Sequence, residues 1–190
     1  MLAYLLWHRP RPGASPAAYE EALLRFEAGL QQDRPDGFAG CATARVAGAS
    51  WAGPSGRGYE DWYLLEGSYA MDALNDAATA GACRAPHAEV AALSEGAAAG
   101  LMKLRAGAPL LTARHAAWFA KPAGLSYEDL GARLERHLEA AGASLWRRQM
   151  VLGPALEFCL LSASPVELAG AGIEVVAVRR EPLEPSPEVQ

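Results

Sequence analysis

The residues best suited to chemistry cluster in the segment from Asn75 to Glu89, where Asn75, Cys83, Arg84, His87 and Glu89 crowd around a Gly81–Pro86 interruption. His87 falls in the first turn of the helix expected after that break, where the helix dipole disfavours an imidazolium. A neutral His87 beside Arg84 is suited to act as a general base, or to hold an anionic group jointly with the arginine. The bland reading is that a break between helices simply collects polar side chains.

A second set lies on two strand-like stretches. By alternation, Tyr4, Leu6 and His8 share one face of the first strand, and His115, Ala117 and Phe119 share one face of its counterpart. These faces are expected to line a pocket between the sheets, with Trp7 and Trp118 pointing the other way, under the helices. A solvated histidine at a strand end is the ordinary alternative for His8 and His115. Glu60, Trp62 and Glu66 share one face of a later strand, with Asp61 and Tyr63 on the other. A Tyr63–Asp61 pair beside a pocket could shuttle a proton, although an exposed, acidic strand end is the commoner arrangement. The candidate ligand-binding residues are thus Asn75, Tyr4, His8, His115, Phe119 and Tyr63, with His87 and Arg84 as candidate catalytic groups.

Several chemistries find no support. The three cysteines, Cys41, Cys83 and Cys159, form no CxxC pair and no zinc spacing, which suits a reduced, cytoplasmic setting. Gly53–Gly58 lacks phosphate-loop spacing, and GxSxG and HExxH are absent, so no dedicated metal site is expected. The net charge of −5 with scattered basic pairs argues against nucleic acid, and no window suits a membrane span.

The elements that must position these residues occur twice. With an offset of 111 residues, Trp7 falls on Trp118, Gly13 on Gly124, Ser15 on Ser126, Leu23 on Leu134 and Arg25 on Arg136. Each stretch reads as an apolar strand, a Pro/Gly loop, a serine cap and an amphipathic helix. Trp62–Leu65 matches Phe158–Leu161 in the same way, each followed by a serine (Ser68, Ser164) that could open a second helix. A short helix is expected at Pro165–Leu168. Trp51, in the Gly-rich stretch Gly48–Gly58, either anchors that loop or covers a pocket.

Each half therefore reads βαββαβ: an α+β fold of tandem ferredoxin-like repeats, antiparallel sheets with helices on one face, and barrel-like packing of the uncovered faces. The first unit spans residues 1–111 and the second 112–181, with a flexible tail at 182–190.

This order of elements resembles the dimeric α+β-barrel superfamily over roughly residues 1–180. Its members include small monooxygenases of antibiotic biosynthesis, muconolactone-isomerase-like enzymes and chlorite-dismutase-like proteins. The resemblance implies a small-molecule-binding protein with a mostly apolar pocket, expected to form a homo-oligomer. An alternative is a cofactor-independent oxygenase or isomerase using His87 as base. A haem protein is another, with His137 or His115 as axial ligand, although no cofactor is expected from the residues themselves. The last is a structural oligomerisation module.

Overall fold

A computed structural model describes residues 1–168 and 172–184, without the side chains of residues 136, 140 and 141. The strands are β1 (Leu2–Pro10), β2 (Phe38–Ala47), β3 (Arg57–Leu65), β4 (Ser94–Ala106), β5 (His115–Phe119), β6 (Ser144–Arg148), β7 (Phe158–Ser162) and β8 (Val176–Pro182). The helices are α1 (Pro16–Asp33), α2 (Ala70–Ala78), α3 (Arg84–Leu93) and α4 (Tyr127–Ala141). No helix among the described residues is long and apolar enough to cross a membrane.

The local reasons for these elements are those read from the sequence. Ser15 caps α1 by accepting from the Ala18 amide, with Pro16 in the first turn. Ser126 accepts from the Asp129 amide at 3.0 Å, and Gly142, at φ 54°, ends α4 in the left-handed conformation.

The eight strands close into one antiparallel barrel in the order β1-β3-β2-β8-β5-β7-β6-β4, with β4 returning to β1. The strands of the first half run β4-β1-β3-β2 and those of the second β8-β5-β7-β6, joined by the β2–β8 and β4–β6 seams. The barrel closes within one chain, so the inner faces of both halves are covered without a second copy.

The interior corrects one expectation. Trp7 and Trp118 do not lie under the helices; they point into the barrel, where their ring centroids are 5.7 Å apart. Trp62 and Trp146 meet there at 5.2 Å, and Trp51 anchors its loop against Trp118 at 5.5 Å. The faces carrying Tyr4, Leu6 and His8, and Ala117 and Phe119, are instead the outer ones. No pocket between the sheets is formed by them. Alternation separates two faces of a strand but does not say which is inside, and here both are covered.

The interior also holds an ion pair. Arg180 Nε of β8 lies 3.0 Å from Glu60 Oε1 of β3, with both side chains buried. Glu60 also accepts from the indoles of Trp62 (2.6 Å) and Trp7 (2.7 Å). Arg180 Nη1 donates to the Leu111 and Ala113 carbonyls at 3.1 and 2.6 Å.

Some expected boundaries shift. The helix expected after the Gly81–Pro86 break starts within it, at Arg84, and ends at Leu93, where β4 starts at once. Residues 165–168 are irregular rather than helical, so α4 stands alone over the second half of the sheet among the described elements. The expected tail begins after β8 ends at Pro182, and residues 185–190 lie outside the described residues.

The ladders also correct the internal match. Glu60 pairs with Trp7, and Cys159 pairs with Trp118. Trp62 therefore corresponds to Leu161, three positions beyond the match with Phe158 drawn from sequence. A run of apolar residues fits several registers, and only the ladder selects one.

Candidate small-molecule site

The outer face of β1 and β3 is roofed by α1, α2 and α3, and between them lies a cavity of about 320 Å³. Leu6, Phe26, Met71, Leu74 and Ala78 make its walls apolar. Four polar side chains reach it from four elements: Tyr4 from β1, Tyr63 from β3, Asn75 from α2 and His87 from α3. Tyr4 and Tyr63 stack at 6.3 Å, and Phe26 packs against both Tyr63 (6.4 Å) and His87 (5.6 Å). The sequence reading named all four polar residues, and the fold brings them together. Asn75 stands at the exposed rim; Tyr63 forms the buried floor.

A polar network lies behind that floor. Tyr63 donates to Asp61 Oδ2 at 2.9 Å, and Thr43 donates to Asp61 Oδ1 at 2.7 Å. His8 Nε2 comes within 3.0 Å of Asp61 Oδ2, off the axis of an aligned hydrogen bond, so the contact is a close polar one. His8 Nδ1 is 2.5 Å from the Tyr19 hydroxyl, which contacts Ser94 Oγ at 2.8 Å. Ser94 gives its proton to the Val90 carbonyl, so Tyr19 donates to Ser94 and its oxygen is left to accept from His8. His8 also stacks on Tyr59 at 5.8 Å.

His8 and Asp61 are thus buried, where a solvated strand-end histidine and an exposed acidic strand end were the ordinary readings. The helices cover this end of the sheet, which a strand pattern alone does not reveal. Tyr19 and Thr43 escaped the sequence reading. Tyr19 read as one more apolar position on the α1 stripe; a tyrosine among leucines was the available signal.

Burial shifts several of these groups. Desolvation, then the charge and hydrogen bond of Asp61, push the Tyr63 phenol well above its ordinary value. Tyr19 is pushed up to about 12, mainly by burial. Burial also lifts the Glu27 carboxyl on α1 to about 7, with Asp61 adding to the rise and hydrogen bonds from Thr43 opposing it.

The Glu27 shift sets a pH dependence. The folded protein holds this proton more tightly than the unfolded chain, so the contribution of Glu27 to stability is full below the ordinary value of 4.5 and is lost as pH rises to about 7. Glu27→Gln should therefore stabilise the protein by about 3 kcal/mol above that window and hardly at all below it. Urea titrations of both proteins on either side of the window measure the difference; an equal effect at both ends would contradict the assignment.

The second half lacks the network. In ladder register His8 corresponds to Phe119 and Asp61 to Leu160, and by helix position Tyr19 corresponds to Leu130. Phe119, Leu130 and Leu160 pack together in an apolar cluster. Phe119 is therefore core, with its ring stacked on Phe158 at 5.3 Å. His115 opens on a separate groove of about 490 Å³. Arg84 is exposed, donates to the Thr79 carbonyl at 3.3 Å and does not line the His87 cavity. The expected pairing of Arg84 with His87 is not formed: three residues apart, the two share a helix face, but Arg84 turns back to the Thr79 carbonyl before the helix starts.

No protein-family model matches the chain, and no curated protein is detectably similar to it. Solved structures are similar. A protein provisionally named a monooxygenase, from Fusobacterium nucleatum subsp. nucleatum, superposes with a TM-score of 0.64 at 9% identity, covering 96% of this chain and 93% of its own. A protein provisionally named a chlorite dismutase gives 0.52 at 12% identity, covering 96% and 94%. The chain shares their α+β barrel fold. At such identities the likeness carries the fold alone.

The haem reading of the sequence named His137 or His115 as axial ligand. A groove of about 880 Å³ between α4 and the ends of β4 and β6 is lined among the described residues by no histidine, cysteine or methionine. Its Tyr127 is held by Glu157 at 3.0 Å and covered by Arg147 at 3.8 Å. His137, on α4, does not line it. Among the described residues no three His, Cys, Asp or Glu side chains gather as metal ligands.

Proposed function

We propose that this chain is a small-molecule-binding member of the dimeric α+β-barrel superfamily, built from two ferredoxin-like units, and that its ligand sits in the cavity between β1, β3 and the first three helices. The repeated local strand order supports the tandem reading. One observation carries the site: Tyr4, Tyr63, Asn75 and His87 converge from four elements on walls that are otherwise apolar. Few polar groups in an apolar concavity of roughly 300–1,000 Å³ is the usual build of a small-molecule site.

The arrangement divides the labour. The apolar walls take the body of a compact, neutral molecule. Asn75 at the rim offers both a donor and an acceptor, while Tyr63, its proton committed to Asp61, offers an acceptor. An oxygenase-like or isomerase reading adds His87 as general base; the buried Tyr63–Asp61–His8 network favours it, because such networks fix a proton's position at a reacting group.

The test is titration with 2-naphthol, a neutral probe of suitable size, followed by amide NMR shifts. Shifts at Leu6, Leu74 and His87 are expected, and Ala78→Phe, which fills the cavity from its partly exposed rim, should weaken binding at least about tenfold. Absence of shifts there, or unchanged binding to the variant, would refute the reading.

A further inference from the structure

The second half carries a different opening, and its lining has one sign of charge. The groove of about 490 Å³ around His115 also receives Arg57 and Arg179, and among the described residues no acidic side chain lines it. The ladders place these residues in one transverse row. Arg57 of β3 pairs with Ala47 of β2, Ala47 pairs with Arg179 of β8, and Arg179 pairs with His115 of β5. Directly paired residues of an antiparallel ladder project on the same face. The row therefore aims two guanidinium groups and an imidazole outward across the seam between the halves, over roughly 14 Å at about 4.8 Å per strand.

Nothing among the described residues neutralises them. Neither arginine nor His115 makes a hydrogen bond, ion pair or ring contact with a described residue. Arg25 and Arg45 elsewhere are held by carboxylates, Arg25 by Glu21 and Glu89 and Arg45 by Glu20 and Glu181. Arg57 and Arg179 stand two strands apart with only Ala47 between them, in a chain of net charge −5. Beside the row, Pro165, Val166 and Val175 form an apolar wall. At its floor Gly48, at φ 101°, lets β2 pass so close to β8 that a side chain there would strike the Ala177 carbonyl.

We infer that this groove is a second binding site, for a small organic anion: a carboxylate or phosphate held by Arg57, Arg179 and His115, with an apolar body against Pro165, Val166 and Val175. Planar guanidinium groups suit such oxyanions because they donate two parallel hydrogen bonds. The site is independent of the first-half cavity, which offers no cation.

The experiment is titration of the full chain with phenyl phosphate, with phenol and inorganic phosphate in parallel, read by calorimetry and amide NMR shifts. Phenyl phosphate should shift the amides of Ala47, Ala117 and Val178 and bind at least about tenfold more tightly than phenol. Added salt should weaken it, since the groups are exposed. Arg57→Ala and Arg179→Ala remove exposed side chains, so folding is preserved, and each should cost about fivefold or more in affinity. Binding as tight to both variants as to the parent, or no shift at these amides, overturns the site. Inorganic phosphate binding as tightly as phenyl phosphate overturns the organic class of the ligand.

Discussion

Arg180→Met should destabilise the folded chain by about 3–5 kcal/mol, because it leaves the Glu60 carboxylate buried inside the barrel without its counter-charge. The indoles of Trp7 and Trp62 would still donate to Glu60, but neutral donors do not replace a guanidinium in contact. The variant also releases the Leu111 and Ala113 carbonyls, which Arg180 holds at the end of the barrel. The reverse change, Glu60→Leu, should be of similar size, since a guanidinium and two indole N–H groups are then left unpaired. Combined, the two changes should cost much less than their sum, because neither charge survives to be stranded. Urea unfolding of the four proteins measures this coupling; additive losses would show that the pair contributes nothing beyond packing.

Asp61→Ala should be comparably damaging, at about 3–5 kcal/mol, and it should act on the other side of the same strand. The carboxylate accepts from Thr43 and Tyr63 and stands 3.0 Å from His8, all inside the roof of helices. Alanine would leave two hydroxyl groups without an acceptor and take away the close polar contact of His8. Asp61→Asn keeps the shape and should cost less, and it gives a cleaner reading of the charge. The Asp61 carboxylate is among the causes that hold the Tyr63 phenol up, so its neutralisation should let tyrosinate form at lower pH. Tyrosinate absorbance against pH in Asp61→Asn, with Tyr63→Phe as the assignment control, tests this. An unmoved titration would mean that burial alone controls the phenol.

These two clusters show what was legible beforehand. The helix caps at Ser15 and Ser126 and the order of strands and helices were readable because they rest on local chemistry. Tyr4, Tyr63, Asn75 and His87 were readable as candidates, since polar side chains on otherwise apolar elements stand out, but their convergence was not, because Tyr4 was read as facing a pocket between the sheets. Which face of β1 looks inward was not readable: Tyr4, Leu6 and His8 alternate with Leu5 and Trp7, and both sets are covered, one by helices and one by the opposite wall. The Glu60–Arg180 pair was also invisible, being 120 positions apart and brought together only by closure of the β2–β8 seam. The row of Arg57, Arg179 and His115 depends on three ladders in register, which no local pattern specifies. The helix expected at Pro165–Leu168 failed because its only support was a serine and a proline, with no apolar stripe to hold a helix on the sheet.

The Glu60–Arg180 contact has a bearing on symmetry. A barrel assembled from two identical chains about a two-fold axis must bury every inward side chain twice. A lone Glu60 would then face the interior from both walls, and two carboxylates would need two arginines or two protons. In this chain the place opposite Trp7 holds Glu60, while the matching place opposite Trp118 holds Cys159. One acid and one base suffice, and the burden of charge falls on a single seam. Containing both walls in one polypeptide thus permits an interior that no symmetric pair could adopt, and frees the halves to differ outside as well: three helices roof the first, and among the described elements α4 alone roofs the second.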